Sequence, residues 1–156
     1  WDIGKHAHPS HLAIFRDDNS HMTMIYEQFF DNVDYLKQVE IINALVDRFK
    51  IDKIYFDATR GELEGFIEQR ILSPKIFIPI RFNLKTKNQM ATEFEKRVSS
   101  NRIRLINSQR MINQILSVNN DLDAIETHEG HGDSFWSVAL ACYGFSINRG
   151  GRYYLG

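Results

Sequence analysis

The stretch HEGHGDSFWSVALACYGF, residues 128–145, decides how the rest of this sequence is interpreted. A long apolar run, typical of a buried helix, begins directly after a polar, glycine-flanked entrance that contains Asp133. Taken alone, Asp133 is as well explained as a helix N-cap as by any chemical role. Its meaning therefore depends on which other side chains it faces.

Composition bounds the class of protein. The chain has 156 residues, enough for one domain with its own hydrophobic core. Its single cysteine, Cys142, excludes a disulfide framework and a CxxC metal site. No apolar run approaches the length of a membrane span, and no signal-peptide pattern is present. The chain opens on Trp1 and lacks a phosphate-binding P-loop, so we expect a piece of a longer protein whose ATP hydrolysis, if any, lies elsewhere.

The charges are strongly segregated along the chain. Residues 1–69 carry 7 Lys or Arg against 13 acids, residues 70–110 carry 10 against 2, and residues 111–156 carry 2 against 5. Most charge runs are solvated surface, but an excess this lopsided favours binding to a polyanion. The candidate phosphate-binding residues are Arg81, Lys85, Lys87, Lys96, Arg97, Arg102 and Arg104. Lys85 and Lys87 are expected in a polar connection, free to reach outward.

Hydrophobic periodicity predicts a mixed order of strands and helices. We expect strands at residues 1–4, 11–18, 21–30, 53–57, 75–82 and 102–106. We expect helices at residues 34–50, within 58–72, at 88–100 and 110–118, and from Asp133 onward. Pro79 cannot donate to a ladder, so its strand should lie at a sheet edge, and Ser108 can cap the helix that follows it.

This order predicts where the carboxylates meet. The hairpin strands return antiparallel, and the helix at 34–50 is long enough for a parallel crossover. Residues 53–57 should therefore lie beside residues 1–4. Asp2 and Asp57 would converge where the strand order reverses, the usual place for a site in an open α/β sheet. Asp133 would be the third carboxylate.

Three converging carboxylates repel one another unless a cation neutralises them. Oxygen ligands in an incomplete cage suit Mg²⁺ or Mn²⁺, and two such ions about 3.5–4 Å apart activate water and stabilise the leaving oxygen of a phosphodiester. Simpler readings remain, since Asp57 would serve as a turn residue and Asp2 as an exposed terminal acid. A rival zinc site would use the histidines, although their spacings do not match HExxH and no thiolate is available: His6, His8, His11, His128 and His131.

Three motifs, DIG, IYFDATRGE and HEGHGDSFWSVALACYGF, together resemble the nuclease domain of the large terminase subunit of tailed bacteriophages, a member of the RNase H-like superfamily. The resemblance implies one α/β nuclease domain over residues 1–156, with a mixed five-strand sheet and helices on both faces. It implies that Asp2, Asp57 and Asp133 are the catalytic acids and hold two Mg²⁺ or Mn²⁺ ions. His8 or His131 would assist them.

The resemblance also implies a function. The domain would be a metal-dependent endonuclease that cuts double-stranded DNA with little sequence preference. It would act during viral genome packaging, in the cytoplasm of the infected bacterial host. The partners of the domain would be an ATPase domain of the parent protein, the portal and the small terminase subunit. No membrane would be involved. Two alternatives stay open: a resolvase- or transposase-type nuclease, and a non-catalytic DNA-clamping module of a packaging motor.

Overall fold

A computed structural model describes residues 1–4, 9–18, 21–61, 63–124 and 131–150. Its strands are β1 (Ser10–Asp18), β2 (His21–Phe30), β3 (Ile54–Asp57), β4 (Phe77–Ile80) and β5 (Ile103–Arg104). Its helices are α1 (Tyr35–Phe49), α2 (Glu64–Glu68), α3 (Leu84–Ser99), α4 (Gln109–Leu116) and α5 (Asp133–Gly150). The mixed α/β class is confirmed.

The strands form two sheets rather than one. One sheet has the order β1-β2-β5, in which β2 is antiparallel to β1 and parallel to β5. The other is a parallel pair of β3 and β4. The expected single sheet of five strands is therefore not found in the described part of the chain. As predicted from Pro79, β4 is an edge strand, since β3 is its neighbour on one side only.

The opening segment, residues 1–4, lies between the two sheets. Asp2 and His11 form an antiparallel bridge with reciprocal backbone hydrogen bonds of 2.9 Å. On the other side the Trp1 nitrogen donates to the Tyr55 carbonyl at 2.8 Å, and the Asp57 amide donates to the Trp1 carbonyl at 3.2 Å. The segment thus lies beside β3 as predicted, but its pairing is too short to fuse the sheets into one ladder.

Helix α1 follows the sequence prediction closely. The Asp34 side chain caps it by accepting from the Lys37 amide at 2.9 Å, and Lys50 ends it in the left-handed conformation at φ 52°. Its periodic apolar face buries Val39 and Ile42 in the core. None of the helices within the described ranges is long and apolar enough to cross a membrane.

Helix α3 begins earlier than the sequence predicts. Asn83 and Thr86 form a capping box, in which the Asn83 side chain accepts from the Thr86 amide at 3.0 Å and the Thr86 hydroxyl accepts from the Asn83 amide at 2.8 Å. Lys85 and Lys87 therefore lie in the first helical turn, and the expected polar connection is wrong. The Ser108 expectation is also only partly right: it occupies the N-cap position of α4 without a side-chain cap hydrogen bond.

Helix α5 is the central buried helix and packs against β1, β3, α3 and α4. Its contact with β3 is very close, because a Cβ placed at Gly144 would lie 2.2 Å from ring atoms of Tyr55. Trp136 and Cys142 on this helix are buried in the core. This packing sets the position of α5, and with it that of Asp133 at its start.

Candidate functional site

Asp133 is the first residue of α5 and is almost fully buried, with 6% of its surface exposed. Gly132 before it has φ 79°, and a Cβ there would lie 2.9 Å from Val118 Cγ2, so both backbone conformation and space require glycine. The His131 amide donates to Asp133 Oδ2 at 3.3 Å. The polar entrance seen in the sequence thus places a carboxylate at a helix N-terminus, where negative charge is favoured.

Asp2 lies in the opening segment and is also buried, with 8% of its surface exposed. Burial raises the pKa of its carboxyl well above the ordinary value, and the negative charges of Asp133 and Asp57 raise that pKa further. The N-terminal ammonium and Arg60 oppose this effect more weakly. The alternative that Asp2 is an exposed terminal acid is therefore wrong, and its carboxyl lies within electrostatic range of both Asp57 and Asp133.

Asp57 ends β3 and is half-buried. Its Oδ1 accepts from the Thr59 amide at 2.9 Å and also from the Thr59 hydroxyl. The same hydroxyl oxygen accepts from the Phe82 amide at 2.9 Å. Asp57 is thus a turn residue and also a member of the acidic cluster, by which we mean Asp2, Asp57 and Asp133. Thr59 is a functional neighbour that sequence reasoning missed, although an Asp-x-Thr turn directly after a strand is a recognisable signal.

The chemistry of this donor set fits a hard divalent cation. All three side chains offer carboxylate oxygens, and a cation would offset the repulsion that raises the pKa of Asp2. The side chains do not, however, form a closed ligand shell: within the described residues, no group of three or more His, Cys, Asp or Glu side chains is placed to hold a metal ion. The three carboxylates are therefore neighbours that do not form a complete set of metal ligands.

The histidines do not assemble the rival zinc site in the part of the chain that the structure describes. His11 is fully buried beneath the sheet surface and engages Ser137 and Glu27. His131 precedes Asp133 and is half-buried. The remaining candidates, His6, His8 and His128, lie outside the described residues, so the auxiliary role of His8 stays a prediction.

The engagement of His11 is a feature that sequence reasoning missed. Its Nδ1 lies 2.5 Å from Ser137 Oγ, and its Nε2 lies 3.3 Å from Glu27 Oε2. Burial lowers the pKa of His11, while Glu27 acts in the opposite direction. The hydrogen bond from His11 lowers the pKa of Glu27, and a hydrogen bond with Ser108 lowers it further. The only sequence signal was the spacing of four residues between Asp133 and Ser137.

The basic residues spread over α3 and the segment that follows it. Arg81, Lys85, Lys96, Arg102 and Arg104 are exposed. Arg81 Nη2 lies 3.4 Å from Glu64 Oε1, and Lys96 Nζ lies 2.8 Å from Glu93 Oε1. Such exposed pairs are weak and exchange readily, so they leave these cations usable by a ligand.

Two of the predicted basic residues also contact aromatic rings of the hydrophobic core. Lys87 Nζ lies 4.9 Å from the centroid of the Trp136 ring, and the Arg97 guanidinium lies 4.9 Å from the Phe145 ring. Both are half-buried. Cation–π contacts of this kind hold α3 against α5, so Lys87 is not the freely reaching group that the sequence suggested.

No protein-family model matches this chain, and no curated protein matches it. Solved structures do. The large terminase nuclease of thermophilic phage G20c is 15% identical and covers 90% of this chain and 77% of its own, with a TM-score of 0.64. The nuclease domain of the Thermus phage P74-26 large terminase is 14% identical, with coverages of 85% and 77% and a TM-score of 0.62.

A zinc-bound structure of the G20c nuclease also matches, at 14% identity, coverages of 85% and 80% and a TM-score of 0.58. These identities are too low to transfer function residue by residue, but the superpositions extend over most of both chains. The resemblance indicated by the three sequence motifs is thereby confirmed: this chain has the fold of the large terminase nuclease domains of phages.

Proposed function

We propose that residues 1–156 form a nuclease domain that cuts double-stranded DNA with low sequence specificity, using divalent cations. The observation that carries this proposal is that Asp2, Asp57 and Asp133 come from three separate segments of the chain, and that the charges of Asp133 and Asp57 both raise the pKa of Asp2. The shared fold supports the class of nuclease, and the site supports the chemistry.

Asp2, Asp57 and Asp133 would hold two Mg²⁺ or Mn²⁺ ions. When bound, such ions lower the pKa of water and stabilise the leaving oxygen of a phosphodiester. A similar structure, the G20c nuclease, has bound zinc, which supports a divalent-cation site in this fold. The all-oxygen donor set here favours the harder ions Mg²⁺ and Mn²⁺.

The protein's own contribution is placement. Thr59 holds the Asp57 carboxylate in one orientation through two hydrogen bonds. The tight turn at Gly132 places Asp133 at the mouth of α5. The exposed cations Lys85, Arg102 and Arg104 would bind backbone phosphates, which position DNA without reading its sequence.

The setting we propose is viral genome packaging in the cytoplasm of an infected bacterium. The fold similarity to large terminase nucleases supports it. In this setting the domain would act with an ATPase domain of the parent protein, the portal and the small terminase subunit.

A plasmid-nicking assay tests the proposal. Wild-type protein should nick supercoiled DNA in Mg²⁺ or Mn²⁺, lose activity in EDTA, and not regain it with Zn²⁺. Asp133→Asn should abolish cleavage because the carboxamide keeps the shape but loses the charge that holds the cation. Asp47→Asn, at an exposed acid on α1, is the matched control and should cut normally. Cleavage in EDTA, or by Asp133→Asn, would contradict the proposal.

A second candidate, a DNA-clamping module without catalysis, is favoured by one observation: the described residues include no preformed metal-holding group. It predicts salt-dependent binding to DNA without nicking in any metal. The same assay, paired with a binding measurement, separates the two candidates.

A further inference from the structure

A buried polar contact lies directly beside the acidic cluster and plays no part in the proposed chemistry. His11 is 0% exposed and Ser137 is 1% exposed, and the imidazole Nδ1 lies 2.5 Å from the Ser137 hydroxyl oxygen. Polar groups this deep in a core cost free energy unless they are paired, so the contact is an integral part of the packing of α5 on β1.

The contact and two acids of the cluster come from the same two pairs of neighbouring residues, Asp2 with His11 and Asp133 with Ser137. Asp2 and His11 are bridge partners on neighbouring strands, and such partners present their side chains on the same face. Asp133 and Ser137 are four residues apart on α5, and therefore also share a face. Asp2 feels the charge of Asp133, while His11 touches Ser137.

The spacings allow both contacts at once. Four residues of helix advance about 6 Å, and hydrogen-bonded antiparallel partners have Cα atoms about 5.5 Å apart. One turn of α5 can therefore face one cross-strand pair. Asp133 then lies against Asp2, and Ser137, one turn further along the helix, lies against His11.

Glu27 fixes the direction of the histidine contact. An ionised carboxylate only accepts hydrogen bonds, so Nε2–H of His11 donates to Glu27 Oε2 at 3.3 Å. Nδ1 of the neutral ring then accepts from the Ser137 hydroxyl, whose single proton it shares with the Ser134 carbonyl, 3.1 Å from the same hydroxyl oxygen. The imidazole is thus held in one tautomer by a carboxylate on β2 and directed at α5.

The two contacts act in opposite directions. When both Asp2 and Asp133 are ionised, their like charges push the start of α5 away from the opening segment, whereas the hydrogen bond between Ser137 and His11 holds the next turn against β1. The separation of the two carboxylates depends on the balance between them.

We propose that His11 is a positioning residue, which acts through Ser137 to set the separation of Asp133 from Asp2 and so the affinity of the acidic cluster for its divalent cation. This inference rests on the proposed function, because it takes the three acids to bind a cation. It assigns a role to a contact outside the carboxylates themselves.

The first test removes the hydroxyl. Ser137→Ala should weaken Mn²⁺ binding, measured by calorimetry without DNA, by up to about 10-fold, the lower end of the effect of losing an outer-shell partner, because Ser137 bonds none of the three acids itself. The matched control is Ser146→Ala on the same helix, whose hydroxyl donates only locally to the Tyr143 carbonyl at 2.8 Å. That control should bind Mn²⁺ as the wild type does.

The second test compares two replacements of His11. The side-chain amide of His11→Asn reaches the position of Nδ1 and can still meet Ser137, whereas that of His11→Gln reaches toward Nε2 and Glu27. Both remove the ring, so a purely structural role predicts similar losses. Positioning through Ser137 predicts that His11→Asn retains more Mn²⁺ affinity than His11→Gln.

The outcomes separate the two levels of inference. Wild-type protein that binds no Mn²⁺ would overturn the proposed function. Wild-type binding with unchanged affinity in folded Ser137→Ala would overturn only the role of His11. If Ser137→Ala does not fold, as judged by thermal unfolding in EDTA, the pair of His11 variants decides, and equal affinities in that pair would overturn the inference.

Discussion

The ionisation of the Asp2 side chain is strongly altered by its surroundings. Its pKa is raised first by burial and then by the charges of Asp133 and Asp57. For an acid whose folded-state pKa lies above its unfolded-state value, stability is greatest at low pH and is lost as pH rises through the folded pKa. The metal-free protein therefore carries a cost at neutral pH that a bound cation would remove.

We expect Asp2→Asn to raise the melting temperature of the metal-free protein, with a gain over wild type that grows as pH rises above the ordinary Asp value of 3.8. The asparagine keeps the shape and does not ionise, so it avoids the repulsion. Thermal unfolding in EDTA between pH 5 and pH 8, with Asp47→Asn as control, measures the trend. A gain that stays constant across this range would contradict the raised pKa of Asp2 in the folded protein.

Gly132 is the residue on which the placement of Asp133 depends. Gly132→Ala combines a left-handed φ of 79° with a Cβ 2.9 Å from Val118 Cγ2. We expect a loss of about 1–3 kcal/mol in the free energy of unfolding, the usual cost of such strain. The matched control is Gly65→Ala in α2, where a Cβ meets nothing within 4 Å and helix propensity predicts a small gain. Urea denaturation compares them, and equal stabilities would contradict this account.

Helix α3 combines two tasks in one turn. Lys85 is exposed and available to a phosphate, whereas Lys87, two residues later, lies over the Trp136 ring of α5. The capping box at Asn83 and Thr86 brings both lysines into the helix and directs them differently. A charge count along the sequence treats the two lysines as equivalent, and the helix separates them.

We therefore expect different effects from two equivalent substitutions. Lys85→Gln should weaken DNA binding about equally on unrelated sequences, lower the salt slope by about 0.9, and leave stability unchanged. Lys87→Gln should in addition cost about 0.5–1 kcal/mol of stability through its cation–π contact. Fluorescence anisotropy in Ca²⁺ and urea denaturation measure the two effects. If the two variants had the same DNA affinity and the same stability, the different roles assigned to Lys85 and Lys87 would be contradicted.

Across the whole molecule, the features that the sequence predicts well are local. Helix α1 has its periodic apolar face, and Pro79 marks an edge strand. Asp57 and Asp133 were identifiable because each follows a strong local pattern, a short buried strand and a glycine-flanked helix start. Parallel crossover rules then sufficed to predict that β3 lies beside the opening segment.

The features that the sequence does not predict are long-range. The division into two sheets depends on how few backbone pairs the opening segment makes. The contact between His11 and Ser137 joins residues 126 positions apart, and no periodicity encodes it. The early start of α3 arose from a capping box whose third position is Thr rather than the usual Glu or Gln.

Thr59 links regions that the proposed function keeps apart. Its hydroxyl donates to the Asp57 carboxylate and accepts from the Phe82 amide, and Phe82 directly precedes the residue that caps α3. A force applied to α3 along its axis therefore reaches an acid of the cluster through two hydrogen bonds. If DNA is held on that helix, as the proposed function implies, tension along the duplex becomes a mechanical input to the geometry of the acidic cluster.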